Sequence, residues 1–192
     1  MARIFVTGST AGLGLGAART LIRDGHDVVL HARTRERASA LKQRASDVAA
    51  QATGVVVGEL ASAAETRSVA EQLNRIGRME AVIHNAGTYL EPNRGATPEG
   101  HSRTLAVNTL APYLLTALID RPDRLVFLSS GLHRSSGVEL ADIDWTVRRW
   151  NAGEAYAESK LYVTTLALAV ARRWPSVLSN AVDPGWVPTR MG

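Results

Sequence analysis

The segment YAESK, residues 156 to 160, sets a phenol and an ammonium four positions apart. On a helix that spacing puts both side chains on one face. A free tyrosine has a pKa of about 10, too high for easy proton exchange near neutral pH. A nearby ammonium favours the phenolate, and lowering the pKa by ~2–3 units takes roughly 3–4 kcal/mol of differential interaction. The chain has 22 basic residues, of which only Lys42 and Lys160 are lysine. A chain that otherwise writes positive charge as arginine has a compact, three-donor amine at Lys160. A solvated lysine on a surface helix is the plain alternative, and the pair alone does not decide between them.

A second stretch with chemical potential is TGSTAGLG, residues 7 to 14. Gly8, Gly12 and Gly14 let a backbone come close to a pyrophosphate and let a following helix pack tightly. The helix N-terminus then offers free N–H groups and the positive end of its dipole. The spacing is G-x3-G-x-G, which departs from the dinucleotide fingerprint G-x-G-x-x-G. After the next apolar run comes VVLHARTRER, with Ala32 and Arg33 at its end. An acid at that place would bind both ribose hydroxyls and repel a 2′-phosphate; Ala32 removes the repulsion and Arg33 offers a bidentate cation. The pattern favours NADP over NAD.

The elements that must position these groups alternate. Strand-like runs are RIFVTG, DVVLHA, VVVGEL, EAVIHNAG, RLVFLSSG and VLSNAVDPG. Helical patterns fall between them: 13–25, one long helix over 34–54, 62–77 with Ser62 and Glu65 as a capping box, one continuous helix over 101–119, and 154–174. Residues 131 to 153 read as an irregular loop. Strands apolar on both faces, alternating with helices, predict a parallel sheet covered on both sides, a single α/β domain with a doubly wound topology. With 192 residues the chain is long enough for a substantial core. It has no cysteine, its five histidines form no metal signature, and no segment is long and apolar enough to span a bilayer, so no metal and no membrane is expected, and a cytoplasmic location is. The net charge of +4 comes from scattered arginines without interleaved aromatics, which argues against a nucleic-acid partner.

Six stretches in order resemble the short-chain dehydrogenase/reductase family, most closely its retinol-dehydrogenase-like branch: the TG-x3-G-x-G turn, HNAG at 84 to 87, Asn108 in TLAVNTLAPYLLT, VFLSS at 126 to 130, YAESK, and DPGWVPT at 183 to 189. The resemblance implies the strand order 3-2-1-4-5-6 and hydride exchange between a nicotinamide and a carbonyl or alcohol substrate. It implies that Tyr156 moves the proton, that Ser130 hydrogen-bonds the reacting oxygen, that Lys160 tunes Tyr156 and holds the ribose, and that Asn108 keeps a water in line with Lys160. Candidate cofactor contacts are Thr7, Gly8, Ser9, Thr10, Gly12, Leu13 and Gly14 in the turn. Arg33, Glu59 and Leu60, then Asn85, Ala86 and Gly87, are placed along the adenosine. Pro184, Gly185, Val187 and Thr189 are placed toward the nicotinamide, beside Tyr156 and Lys160. Ser129 is read as structural, and His133, Trp145 and Trp150 are expected to roof an apolar substrate pocket. The resemblance also implies a homodimer through the helices near 101–119 and 154–173, and further elements after the sixth strand, which would otherwise stand at an edge. A dinucleotide-binding protein without turnover is the alternative reading.

Overall fold

The structure is a computed structural model that describes residues 1–137 and 139–187. Its centre is a six-stranded sheet in the order β3-β2-β1-β4-β5-β6. The strands are β1 (Arg3–Val6), β2 (Asp27–Ala32), β3 (Gly54–Val57), β4 (Ala81–His84), β5 (Arg124–Leu128) and β6 (Leu178–Val182), and every pairing is parallel. Alternate residues of each strand point to opposite faces, and each face has its own core. On one side Phe5, Val29, Val82, Leu125 and Phe127 pack under α4 (Ala63–Ile76), α6 (Ala111–Leu118) and α7 (Ala152–Arg173). On the other, Ile4, Val6, Val28 and Leu30 pack under α1 (Gly12–Arg23), α2 (Arg35–Arg44) and α3 (Ser46–Gln51). Burial on both faces is why the strands read as continuous apolar runs rather than alternating ones.

Three departures from the sequence reading have local causes. The long helix expected after β2 breaks into α2 and α3 at Ala45, whose backbone turns to φ −148° and ψ 61°. The break lets Leu41, Ala45 and Val48 all enter one core cluster. The capping box at Ser62 forms by half: the Ser62 hydroxyl accepts from Glu65 N, but the Glu65 carboxylate accepts from Glu59 N instead (2.8 Å). The helix over 101–119 is not uniform. It starts as α5 (Arg103–Leu105), widens into a π-helical turn over Ala106–Leu110, and resumes as α6. Pro112 has no N–H to give the Asn108 carbonyl, so the regular ladder cannot run through this point. Among the described residues β6 pairs only with β5, with Leu178 and Val182 exposed, as expected of an edge. No helix among the described residues is long and apolar enough to cross a membrane.

Candidate active site

Parallel strands share one direction, so the segments leaving their C-terminal ends gather along one edge of the sheet. Ser130 leaves β5 there. Tyr156 and Lys160 reach the same edge from the second and third turns of α7, a helix opened by the Asn151 side chain, which accepts from Gly153 N and Glu154 N. The phenol of Tyr156 is largely buried. Burial pushes its pKa above the ordinary value, and the hydrogen bond from the Ser130 side chain pulls the other way. The ring of Tyr89 meets the Tyr156 ring edge-on at 4.7 Å. Lys160 is only 4% exposed. Its ammonium donates to the Leu128 carbonyl at the end of β5 (2.7 Å) and lies 5.6 Å from the centre of the Tyr156 ring. Burial lowers its pKa to about 8. The expected lowering of the Tyr156 pKa by Lys160 is therefore not the leading effect. Both groups are driven toward their neutral forms, because both are buried and the ammonium is turned to a main-chain carbonyl.

The residues around this pair divide into those that face the site and those that hold it. Ser130 caps the short 3-10 turn Gly131–Ser135, and His133 Nδ1 meets its carbonyl at 2.5 Å. Ser129 is structural, its hydroxyl bonded to Thr164 Oγ1 (2.6 Å). Asn108 is held at both ends of its side chain. Its side-chain oxygen accepts from Thr88 N (2.8 Å), and its amide donates to Thr88 O and to Ser159 Oγ (2.9 Å). The side-chain amide is occupied by protein partners, and it fixes the π-helical turn to α7 between Tyr156 and Lys160.

Beside Tyr156 and Ser130 opens a cleft of about 420 Å3. Tyr89, Leu90, Leu132 and Ala157 line it together with the polar Ser135, Ser136, Glu154 and Glu158. Neither Trp145 nor Trp150 lines it. The Trp145 indole donates to the buried Glu158 carboxylate (3.0 Å), and Trp150 donates to the Glu91 carbonyl. The two tryptophans pack edge-on at 5.7 Å and anchor their loop instead of roofing the cleft. A shallow concavity on the outer side of α2, near Arg35 and Gln43, carries none of these groups.

The glycine-rich turn lies between β1 and α1. Gly8 and Gly12 take φ of +63° and +55°, which other residues adopt at a cost. A Cβ on Gly14 would come within 2.6 Å of the Gly8 carbonyl. The N-terminus of α1 has no side-chain cap and no acid in its first turn, so its donors face outward with the positive dipole end. Those features fit the pyrophosphate of a dinucleotide. Two expected contacts turn inward. The Thr7 hydroxyl bridges Ile83 O and Ala86 N, and the Ser9 hydroxyl bonds Val6 O and His31 N. Both are spent on the turn itself, whereas Thr10 and Leu13 remain half-exposed on it. The Asn85 amide donates to Thr7 O and Gly8 O (2.9 and 3.3 Å), so it braces the turn rather than facing outward along a ribose, with Ala86 packed under Gly8 and Gly87 following half-buried.

At the adenosine end the register pairs Ala32 with Val57, which brings Arg33 beside Glu59. The Glu59 carboxylate sits 3.6 Å from Arg33 Nε and accepts from Arg103 at 3.0 Å. Arg103, from α5, was not singled out from sequence; nothing in its local pattern marks it, because the contact spans 44 residues. Leu60 is buried in the core below. Pro184 and Gly185 are exposed after β6, Gly185 N donates to Asp183, and Val187 is half-buried. Thr189 lies outside the described residues. No cluster of potential metal ligands occurs among the described residues.

Fold and site together define a Rossmann-type oxidoreductase. Residues 2–137 match the sequence profile of the short chain dehydrogenase family. The chain belongs to that family and is an NAD(P)-dependent oxidoreductase. It is 44% identical to the short-chain dehydrogenase chyC of Penicillium rubens over all of this chain and 74% of that one. Human retinol dehydrogenase 13 is 30% identical over 98% of this chain and 60% of its own length. A blue fluorescent protein from a metagenomic library, solved in complex with NADPH, superposes with a TM-score of 0.76 at 25% identity, covering all of this chain and 76% of its own.

Proposed function

We propose that this protein is an NADP-dependent oxidoreductase acting on a carbonyl/alcohol pair whose body is largely apolar. The observation that carries the reading is the placing of Ser130, Tyr156 and Lys160 at the same sheet edge as the glycine turn, next to a cleft of mixed polar and apolar lining. The dinucleotide, when bound, supplies or accepts the hydride. Tyr156 gives the proton to the nascent alkoxide in reduction and removes it in oxidation. Its burial keeps it protonated, which suits the donor role. Ser130 orients the substrate oxygen by hydrogen bonding and shares in its charge. Lys160 holds the ribose hydroxyls and sustains the proton supply to Tyr156. Asn108 positions the helix that carries both. Arg33, with no acid at Ala32, receives the 2′-phosphate, and the NADPH complex of the metagenomic relative is consistent with that choice. A homodimer is the proposed assembly, supported by Tyr113, Leu118 and Leu168, exposed on α6 and α7.

The test is NADPH oxidation against a panel of aromatic and aliphatic ketones and aldehydes. Tyr156→Phe should bind NADPH as the wild type does and lose turnover by about 100-fold or more. A variant that kept more than about a tenth of wild-type turnover would remove Tyr156 from the proton-transfer role.

A further inference from the structure

We propose that His31 is a positioning residue of the dinucleotide site: its neutral ring spans the pyrophosphate turn and the loop after β3 and sets the spacing between them. The inference rests on the reading of the turn at Gly8 as a dinucleotide site. His31 is the next-to-last residue of β2 and belongs to none of the stretches that carry the family resemblance.

The geometry defines one tautomer. The ring is 3% exposed, packed edge-on to Phe5. Its Nδ1 lies 3.0 Å from Gly8 N, and its Nε2 lies 2.8 Å from Gly58 O. A main-chain N–H only donates and a carbonyl only accepts. Nδ1 is therefore bare and Nε2 carries the proton. A second proton on the ring would leave two donors facing each other at Gly8. Burial also disfavours the charged ring.

The contacts reach the turn at its most constrained residue. Gly8 has a left-handed backbone, so its N–H direction is fixed by a conformation that few residues adopt. The main chain of His31 adds two more ties: its N–H donates to Ser9 Oγ (2.9 Å), and its carbonyl accepts from Ser9 N (3.2 Å). Asn85 braces the same turn from the β4 side through Thr7 O and Gly8 O. The turn is thus clamped between two strands, and on the β2 side the clamp is a rigid ring rather than a flexible amide. The other ring nitrogen ends on Gly58, whose chain continues into Glu59 and Leu60 at the adenosine end. One imidazole therefore fixes two loops that a dinucleotide would contact at separate points along its length. A core histidine with a purely stabilising role would need only one satisfied partner on each nitrogen, with no preference for which loops those partners belong to.

The experiment separates the two arms of the ring. Dissociation constants for NADPH are measured by fluorescence titration on wild type, His31→Phe, His31→Asn and His31→Gln, with thermal melts in parallel. Asparagine places its side-chain oxygen close to where Nδ1 stands and can still take the Gly8 N–H. Glutamine reaches the place of Nε2 and can still serve Gly58, but it leaves Gly8 without an acceptor. Phenylalanine keeps the ring volume and serves neither. The expected result is NADPH binding weakened roughly tenfold to a hundredfold in Phe, the range set by an orphaned buried donor, and weakened in Asn and Gln as well, because each serves one loop only and no longer fixes the distance between the two. Wild type that binds NADPH alongside a Phe variant of equal affinity overturns the proposal, as does an Asn or Gln variant that binds as tightly as wild type, since one arm would then suffice. Wild type that binds no dinucleotide overturns the reading of the site beneath it. Should the Phe variant not fold, nitrogen-15 spectra of the histidines in the wild type decide: a bare Nδ1 whose resonance moves on NADPH addition upholds the proposal, and a ring protonated on Nδ1, or an Nδ1 resonance that stays put, overturns it.

Discussion

Lys160 is an ammonium that the fold holds against its own interest, and the cost is visible as a pH dependence. Burial lowers its pKa from 10.5 to about 8, and at about 1.4 kcal/mol per pH unit the difference is roughly 3 kcal/mol. Below the folded value both folded and unfolded chains carry the charge, and the fold bears the whole cost. Between the two values the folded chain has released its proton and the unfolded chain has not. The unfolded state then binds more protons, so stability rises with pH across that window. Integrated from about pH 7 to about pH 9.5, the gain is about 2 kcal/mol, which for a domain of this size moves Tm by roughly 4–8 °C. Lys160→Met keeps most of the side-chain volume and removes the titration. The measurement is a pair of thermal melts, wild type and Lys160→Met without dinucleotide, at several pH values; the slope of their difference isolates this residue from everything else that titrates. The absolute difference also contains the lost bond to the Leu128 carbonyl, but the slope does not. A flat difference, or one that falls with pH, would refute the claim that burial outweighs the contacts made by the ammonium.

Two further outcomes follow from the adenosine end and from the outer helices. The double variant Ala32→Asp, Arg33→Ala should lose NADPH affinity by about tenfold or more, the scale of one charge-assisted contact, and should gain NADH; calorimetric titration of both cofactors checks it, and an unchanged preference would remove Arg33 from the phosphate site. Sedimentation at micromolar concentration should give twice the chain mass of 20.6 kDa, and Leu168→Glu, on the exposed side of α7, should give the single chain; a wild-type monomer would end the dimer reading.

The sequence was most informative where function needs a particular backbone. Glycines in a tight turn between strand and helix, and apolar runs alternating with amphipathic ones, are local properties, and they gave the six strands and the turn at Gly8, while the strand order came from the family resemblance. It was least informative where a side chain chooses between partners that are far apart in the chain. The motif positions Thr7, Ser9 and Asn85 were read as facing the cofactor. Each of them turns to protein instead, because a buried polar atom takes whatever partner the fold brings within reach. The same blindness hid Arg103, whose carboxylate partner is Glu59, and His31, whose ring nitrogens meet glycines 23 and 27 residues away. The break at Ala45 was missed for a related reason: helix propensity runs straight through it, and only packing against the sheet favours the bend.

The loop beside the cleft is held by a different kind of chemistry from the glycine turn. Glu158 stands two residues beyond Tyr156 on α7 and is 6% exposed. It accepts two hydrogen bonds from Arg148 (2.7 and 2.9 Å) and one from the Trp145 indole. The Arg148 guanidinium lies 3.8 Å from the centre of the Trp145 ring, which adds a cation–π contact to the ion pair. Asp142 gathers the N–H groups of Thr146, Val147 and Arg148, and those bonds, that from Arg148 first, hold its pKa well below the usual carboxylate range. At the centre Trp145 takes φ +57°, a conformation a bulky side chain adopts only where its surroundings over-determine it. A buried ion pair is a poor way to gain stability, since desolvation offsets much of the attraction, but breaking one partner away leaves an uncompensated charge. Its effect here is positional. It ties the loop over residues 139–151 to the turn of α7 that carries Tyr156, while Asp144 ties the same loop to His101 and Ser102 (2.8 and 3.0 Å). The glycine turn is fixed by short-range backbone geometry and reads directly from its motif. The wall beside the cleft is fixed by charges and indoles drawn from distant stretches, so its composition can change without touching Ser130, Tyr156 or Lys160.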